Sequence, residues 1–191
     1  KQLFHQLSLN IPSGERLLVR GASGSGKTSL LRLILGFERP DSGRISIGGV
    51  PMSLETVWLL RRRMAYVSQE MELGMGRVAD LFREVFSFRA NRGLNYDSKE
   101  AISLLEIFDL KASSLDDKLE TLSGGEKQRI AIILSLLLRR EIYLLDEVTS
   151  ALDQSLKERI AAYFEDLSDS TLVVVSHDRV WNEDHFITLD L

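Results

Sequence analysis

Eight residues, Gly21-Ala-Ser-Gly-Ser-Gly-Lys27-Thr28, follow the spacing G-x-x-x-x-G-K-[ST]. A polyphosphate is held best by several backbone N–H groups converging on it, and bulky side chains would keep the anion away. Gly21, Gly24 and Gly26 allow that tight path. A helix starting near Lys27 adds its positive end, Lys27 a mobile point charge, and Thr28 a hydroxyl able to ligate a magnesium ion bridging the phosphates. The binding set is therefore Gly21, Ser23, Gly24, Ser25, Gly26, Lys27, Thr28 and Ser29. A glycine-rich turn that binds nothing is the bland alternative. The unbroken Gly-Lys-Thr run argues against it, as does the setting between apolar Leu17 to Val19 and the helical pattern Ser29 to Leu35.

Two further runs end in groups able to do chemistry. Ile142-Tyr-Leu-Leu145 reads as a strand closed by Asp146-Glu147, and Thr171 to Val175 as another closed by Ser176-His177. In a parallel α/β sheet such strand ends converge on the phosphate loop. Asp146 is then placed to hold magnesium through water, and Glu147 to accept a proton from an attacking water. His177 alone is ambiguous, since structural histidines are common. Leu122-Ser-Gly-Gly-Glu-Lys-Gln-Arg129 opens a helix apolar on nearly every face. Taken alone, Ser123, Gly124 and Gly125 are equally a capped, glycine-loosened helix start or a second anion-friendly helix end.

The elements that must position these groups follow from periodicity. Leu3, Leu7, Leu9 and Ile11 suggest a half-buried antiparallel strand before the turn at Pro12-Ser-Gly14. Arg44 to Ile47 and Gly48-Gly49 read as a small β hairpin, and Ser53 as the cap of a short helix through Arg62. Met64 to Val67 is a compact strand ending at Ser68-Gln69. Arg61 to Arg63 form a basic run that suits a solvated helix end better than a nucleic-acid contact. From Met71 to Glu120 strand patterns vanish. Val78, Leu81, Phe82, Val85 and Phe86 mark an amphipathic helix, and Asp97 to Glu100 resembles a capping box for another. Phe82, Phe86 and Phe88 are core residues or partner-facing aromatics. Leu156, Ile160, Tyr163, Phe164 and Leu167 give the apolar face of a crossover helix.

With 191 residues, 44% of them hydrophobic, the chain can bury one sizeable core. The net charge of -4 argues against a broad surface for nucleic acid or anionic lipid, and no nucleic-acid partner is expected. The sequence has no cysteine, which excludes disulfides, thiol catalysis and cysteine-bound zinc, and favours a cytoplasmic setting. Its longest apolar stretch, around Ile130 to Leu138, is too short to span a bilayer, so any membrane role needs a partner. Without an initiator Met, a missing N-terminal strand is expected.

Together, in this order, these motifs resemble the ATP-binding cassette (ABC) ATPases over essentially the whole chain. Gly21 to Thr28 is similar to the Walker A loop, Gln69 to the Q-loop glutamine, and Leu122 to Gln128 to the family signature. Ile142 to Glu147 is similar to Walker B with its catalytic glutamate, Ser150-Ala-Leu-Asp153 to the D-loop and His177 to the switch histidine. The signature decides between the two readings of Ser123. The resemblance implies a P-loop NTPase core with a mostly parallel sheet, a small antiparallel β subdomain and an inserted α-helical subdomain. The single cassette would divide into a core at 1–70 and 121–191 and a helical subdomain at 71–120. It further implies an ATP-hydrolysing transporter subunit with ATP and magnesium as ligands, lying on the cytoplasmic face of a membrane against a separate integral permease.

Two cassettes would dimerise head to tail, with ATP between Walker A of one and Ser123, Gly124 and Gly125 of the other. Gln69 would reach the magnesium and the water alongside Thr28 and Asp146, and His177 the terminal phosphate. Lys27 and Glu147 would complete the catalytic set, and Asp153 would couple the two sites. A non-transport ABC ATPase serving translation, repair or chromosome structure is the alternative; the second cassette, zinc module or coiled coil of those proteins is not found here. Three departures stand out: Val148 replaces the proline usual after the glutamate, Leu134 an arginine after the signature, and Arg140 a proline before Walker B. The aromatic residue that stacks on adenine is expected upstream of Lys1.

Overall fold

The computed structural model describes residues 3–69 and 71–191; Lys1, Gln2 and Glu70 lie outside the described residues. In chain order, Arg16–Arg20 (β1) leads through the glycine loop into Lys27–Ile34 (α1). A two-stranded hairpin, Ser46–Ile47 (β2) and Val50–Pro51 (β3), precedes Val57–Arg61 (α2) and Met64–Val67 (β4). Val78–Ser87 (α3) and Ser98–Ile107 (α4) follow, and Gly124–Leu137 (α5) returns the chain to the sheet. Ile142–Asp146 (β5), Gln154–Glu165 (α6), Thr171–Val175 (β6) and Ile187–Asp190 (β7) complete it.

The large sheet has the order β4-β5-β6-β1-β7, and all its pairings are parallel. Continuous apolar strands are what a sheet covered on both faces requires. Successive residues alternate between two cores. Leu17, Val19, Leu144, Val173 and Val175 face a cluster that includes Leu30, Leu31 and Leu35 of α1 and its C-terminal end, and Leu60 of α2. Leu18, Leu145 and Val174 face the larger cluster, with Phe82, Ile130, Ile133, Ile160 and Phe164 from α3, α5 and α6. Helix α5 is buried along most of its length, as its nearly uniform apolarity predicts.

Several local expectations need correction. Residues 3–11 form no strand; Leu3, Leu7 and Leu9 are exposed, and only Phe4 and Ile11 pack on the smaller core. Alternation produces a strand only when the backbone pairs with a neighbour, and among the described residues this segment pairs with no strand. Ser53 does not cap α2. Its hydroxyl accepts from the N–H groups of Glu55 and Thr56 in the preceding turn, and α2 starts after Thr56. Asp97 caps α4 by accepting from Lys99, without a reciprocal bond from Glu100, whose carboxylate instead binds Arg139. The capping box occurs at α5, between Ser123 and Glu126.

The basic run lies at the end of α2 as expected, with Arg62 exposed, but its cations serve partners elsewhere in the chain. Arg61 donates to the carbonyls of Leu35 and Gly36 and lies against the rings of Phe37 and Trp58, Arg62 donates to Ala90, and Arg63 pairs with Glu141. The negative end that Arg61 serves belongs to α1, not to its own helix. Of the aromatic stripe, Phe82 is fully buried, Phe86 packs against the core and Phe88 is exposed.

Candidate active site

The carboxyl ends of β1, β4, β5 and β6 lie along one edge of the sheet, and the register fixes their order. Val19 aligns with Val175, Val175 with Asp146, and Leu145 with Val67. The glycine loop leaves β1, Asp146-Glu147 ends β5, Ser176-His177 leaves β6 and Ser68-Gln69 leaves β4. This edge is where ligands bind in open α/β sheets.

The glycine loop needs its composition. Gly21, Gly24 and Gly26 have φ of 147°, 78° and 112°. A Cβ on Gly21 would lie 2.3 Å from the Leu191 carbonyl oxygen and 2.7 Å from the Ser25 hydroxyl, so no side chain fits there. Helix α1 starts without a side-chain cap and without an acidic residue in its first turn. Its N-terminal N–H groups and positive end are therefore available to an anion. Lys27 is buried, its ammonium donating to the carbonyls of Gly21 at 2.7 Å and Ala22 at 3.1 Å. Among the described residues the buried Ser25 hydroxyl has no hydrogen-bond partner. A buried cation that forms no ion pair among the described residues and an orphaned hydroxyl in one loop both fit a phosphate chain. Ser23 and Thr28 are exposed and Ser29 half-buried in the same loop and first helical turn.

Asp146 is buried at the end of β5, where the Thr28 hydroxyl and the Tyr66 hydroxyl, at 3.4 Å, approach its carboxylate. Burial pushes the Asp146 carboxyl above the usual range, against hydrogen bonds from Thr28 and Tyr66 and the charge of Lys27. Tyr66 itself is pushed up to about 12, by burial first and by Asp146 second. A buried carboxylate beside a hydroxyl fits a hard divalent cation. No group of three His, Cys, Asp or Glu among the described residues could hold a metal, so the remaining ligands would be water and phosphate oxygens, as magnesium prefers.

Glu147 has a left-handed backbone, φ 51°, in a region where non-glycine residues are uncommon. Its N–H donates to the Val175 carbonyl, and its own carbonyl accepts from Ser150 N–H and the Ser150 hydroxyl. Its carboxylate lies 3.4 Å from Nε2 of His177 and accepts the backbone N–H of His177. Burial pushes this carboxyl upward, opposed by His177 and Lys27 and reinforced by Asp146. Lys27, Thr28, Asp146, Glu147 and His177 are thus one cluster. Gln69 is exposed, two residues beyond Val67 and hence level with the end of β5.

Ser123, Gly124 and Gly125 are not part of this cluster. Among the described residues no hydrogen bond or ion pair joins them to the glycine loop. Gly125 instead lies beside Leu152 and Ala151, just before Asp153, whose side chain caps α6 through Leu156. The three departures all have places. Val148 is buried in the core, Leu134 packs against it, and Arg140 donates to Asn91 beside the helical segment. Tyr66, Thr149, Lys157 and Asp178 belong to the site region without having been picked out by sequence. Asp178 directly follows His177, which was the one available signal.

Residues 4–150 match a family model described as ABC transporter. A molybdenum import ATP-binding protein, ModC, of Rhizobium johnstonii is 40% identical over 167 residues, 82% of this chain and 45% of its own length. Energy-coupling factor transporter ATP-binding protein EcfA1 of Streptococcus thermophilus is 34% identical over 183 residues, 92% of this chain and 64% of its own. The chain thus spans less than two-thirds of either relative. A dimeric structure of a post-hydrolysis state of the ATP-binding cassette MJ0796, bound to ADP and Pi, matches 99% of this chain and 86% of that one, with TM-score 0.83 and 26% identity. A bacterial Atm1-family ABC exporter with ATP bound matches with TM-score 0.86 and 27% identity over 100% of this chain and 34% of that one.

Proposed function

The chain belongs to the ABC transporter family, and from that premise we propose that it binds and hydrolyses ATP as the cassette of a transporter. The observation that carries this reading is the single cluster of Lys27, Thr28, Asp146, Glu147 and His177 at the carboxyl edge of a parallel sheet. The phosphate chain lies in the loop from Gly21 to Ser29, with Lys27 released from its two carbonyl partners to meet the anion. Thr28, Asp146 and Gln69 would hold magnesium, which when bound supplies charge neutralisation for the β- and γ-phosphates.

Glu147 accepts the proton of the attacking water. Its upward-shifted carboxyl makes it a better base than an exposed glutamate, while the main-chain N–H and ring of His177 keep it oriented. From its place beside Glu147 the His177 ring, largely exposed, would meet the terminal phosphate. Ser123, Gly124 and Gly125 lie outside the cluster of their own chain, which supports a second cassette supplying them across a head-to-tail dimer. Two helix N-termini on one polyphosphate neutralise more charge than one. Asp153, beside the signature residues, lies at that face and couples the two sites. We place its coupling to transport at a membrane permease on the cytoplasmic face, in keeping with relatives that are ATP-binding proteins of transporters; no helix among the described residues is long and apolar enough to cross a membrane. We divide the cassette into the sheet-centred core, 1–70 and 121–191, and the helical subdomain, 71–120. Steady-state ATPase assay of the purified chain tests the reading; phosphate release in parent that Glu147→Gln abolishes supports it, and equal release by both contradicts it.

A further inference from the structure

Glu147 and His177 leave the sheet on two adjacent strands, β5 and β6, whose ladder ends at Asp146 and Val175 with one more bond from Glu147 N–H to Val175. Beyond that point backbone pairing no longer holds the two loops together. Besides the Glu147–His177 contact, the side chain of Asp178 ties them. Its Oδ2 accepts from the Thr149 hydroxyl at 2.5 Å, and its Oδ1 from the Lys157 ammonium at 2.7 Å. Its own N–H donates to Ser176 Oγ at 3.0 Å, and Ser176 N–H in turn donates to Val19 at the end of β1.

Each partner sits within four residues of a functional group. Thr149, fully buried, lies two residues after Glu147. Lys157 is on the first turn of α6, where its N–H donates to the Asp153 carbonyl at 3.0 Å. Asp178 adjoins His177. Both ends of the ion pair are largely shielded from water, with side-chain exposures of 15% and 22%, so the contact keeps more of its strength than a surface pair would. Burial raises the Asp178 carboxyl, but the bonds from Lys157 and Thr149 outweigh it and hold the group below its ordinary range, which keeps it an anion.

We propose that Asp178 is a positioning residue: by holding Thr149 and Lys157 together it fixes the His177 ring against Glu147 and locks both to the Asp153 turn. The His177 side chain is 56% exposed and would otherwise sample several rotamers, whereas transition-state groups must be held within a fraction of an ångström. Misplacement by about 1 Å costs on the order of a hundredfold in rate, so the clasp acts on turnover rather than on nucleotide binding.

The inference rests on the ATPase reading above, and its test separates the two. Kinetics of Mg-ATP hydrolysis are measured for the full chain, Asp178→Asn and Thr149→Val, together with ¹H–¹⁵N spectra of the histidine rings. The expected result is a fall in kcat of about tenfold or more with KM changed by less than about threefold, the double variant losing no more than the worse single one. The His177 ring signals shift in both variants while those of His185, held by Glu165 at 2.9 Å, stay in place. Unmoved His177 signals, or a lowered melting temperature with unchanged kcat, would overturn the inference. Thr149→Val is nearly isosteric and keeps the test available if Asp178→Asn does not fold. Should the parent chain hydrolyse no ATP, the proposed function fails, and the ring signals still decide the role of Asp178.

Discussion

Nε2 of His177 stands 3.4 Å from Oε1 of Glu147, and the same carboxylate accepts the main-chain N–H of His177. The second residue after β6 therefore orients the first residue after β5, and Glu147 has a left-handed backbone at this turn. One relationship connects a local strain, a sheet register and the placement of a base.

Nucleotide affinity is expected to depend on Lys27. Lys27→Ala removes a buried ammonium that meets the phosphates as a point charge, and a charge-assisted contact of this kind contributes about 1.5–3 kcal/mol. Calorimetric titration with ATP is expected to show affinity falling by roughly one to two orders of magnitude. An unchanged dissociation constant would remove Lys27 from the site.

Asp146 makes stability depend on pH in a specific direction. Its folded carboxyl titrates above its unfolded value, so between the two values the native chain binds more protons. Stability therefore falls as pH rises through that window and stays lower at neutral pH. Asp146→Asn is expected to raise the melting temperature of the nucleotide-free chain at pH 7, by roughly 2–4 °C for each kcal/mol relieved. It is also expected to lose the further rise that Mg-ATP gives the parent. Thermal melts at acidic and neutral pH check both signs.

The aromatic stripe of α3 divides by burial. Phe82→Ala opens the larger core and is expected to cost about 3–5 kcal/mol. Phe88→Ala, at an exposed position, should change stability by no more than about 0.5 kcal/mol. Urea unfolding of the two variants distinguishes them, and equal losses would contradict this account of the packing.

The sheet and phosphate loop were legible because strands buried on both faces read as unbroken apolar runs, as in Leu17 to Val19, Ile142 to Leu145 and Thr171 to Val175. Their order in the sheet was not, since nothing in Met64 to Val67 says that it pairs with Ile142 to Leu145. The alternation of Leu3 to Ile11 misled because a strand is a property of two neighbours. Tyr66 and Thr149 escaped notice because each acts through a residue distant in sequence, Asp146 in one case and Asp178 in the other. The strained φ of Glu147 has no sequence signature at all, since a glutamate is not the residue that a left-handed turn normally selects.

Ser123 tests whether the site is shared between two chains. Ser123→Arg places a bulky cation at the N-terminus of α5, where among the described residues no hydrogen bond joins Ser123 to the glycine loop. The expected outcome is loss of ATP-dependent dimer in sedimentation, together with at least about a tenfold fall in turnover. Retained dimerisation and turnover would mean that the signature residues take no part.

The most direct test of the central claim is the mass of Glu147→Gln in solution, by light scattering, with Mg-ATP and with Mg-ADP. Glutamine preserves the shape of Glu147 but cannot take the proton, so ATP should persist and hold two chains together. The account predicts twice the 21.6 kDa chain mass with ATP and the monomer mass with ADP. A monomer under both conditions, with ATP still hydrolysed at the parental rate, would contradict it.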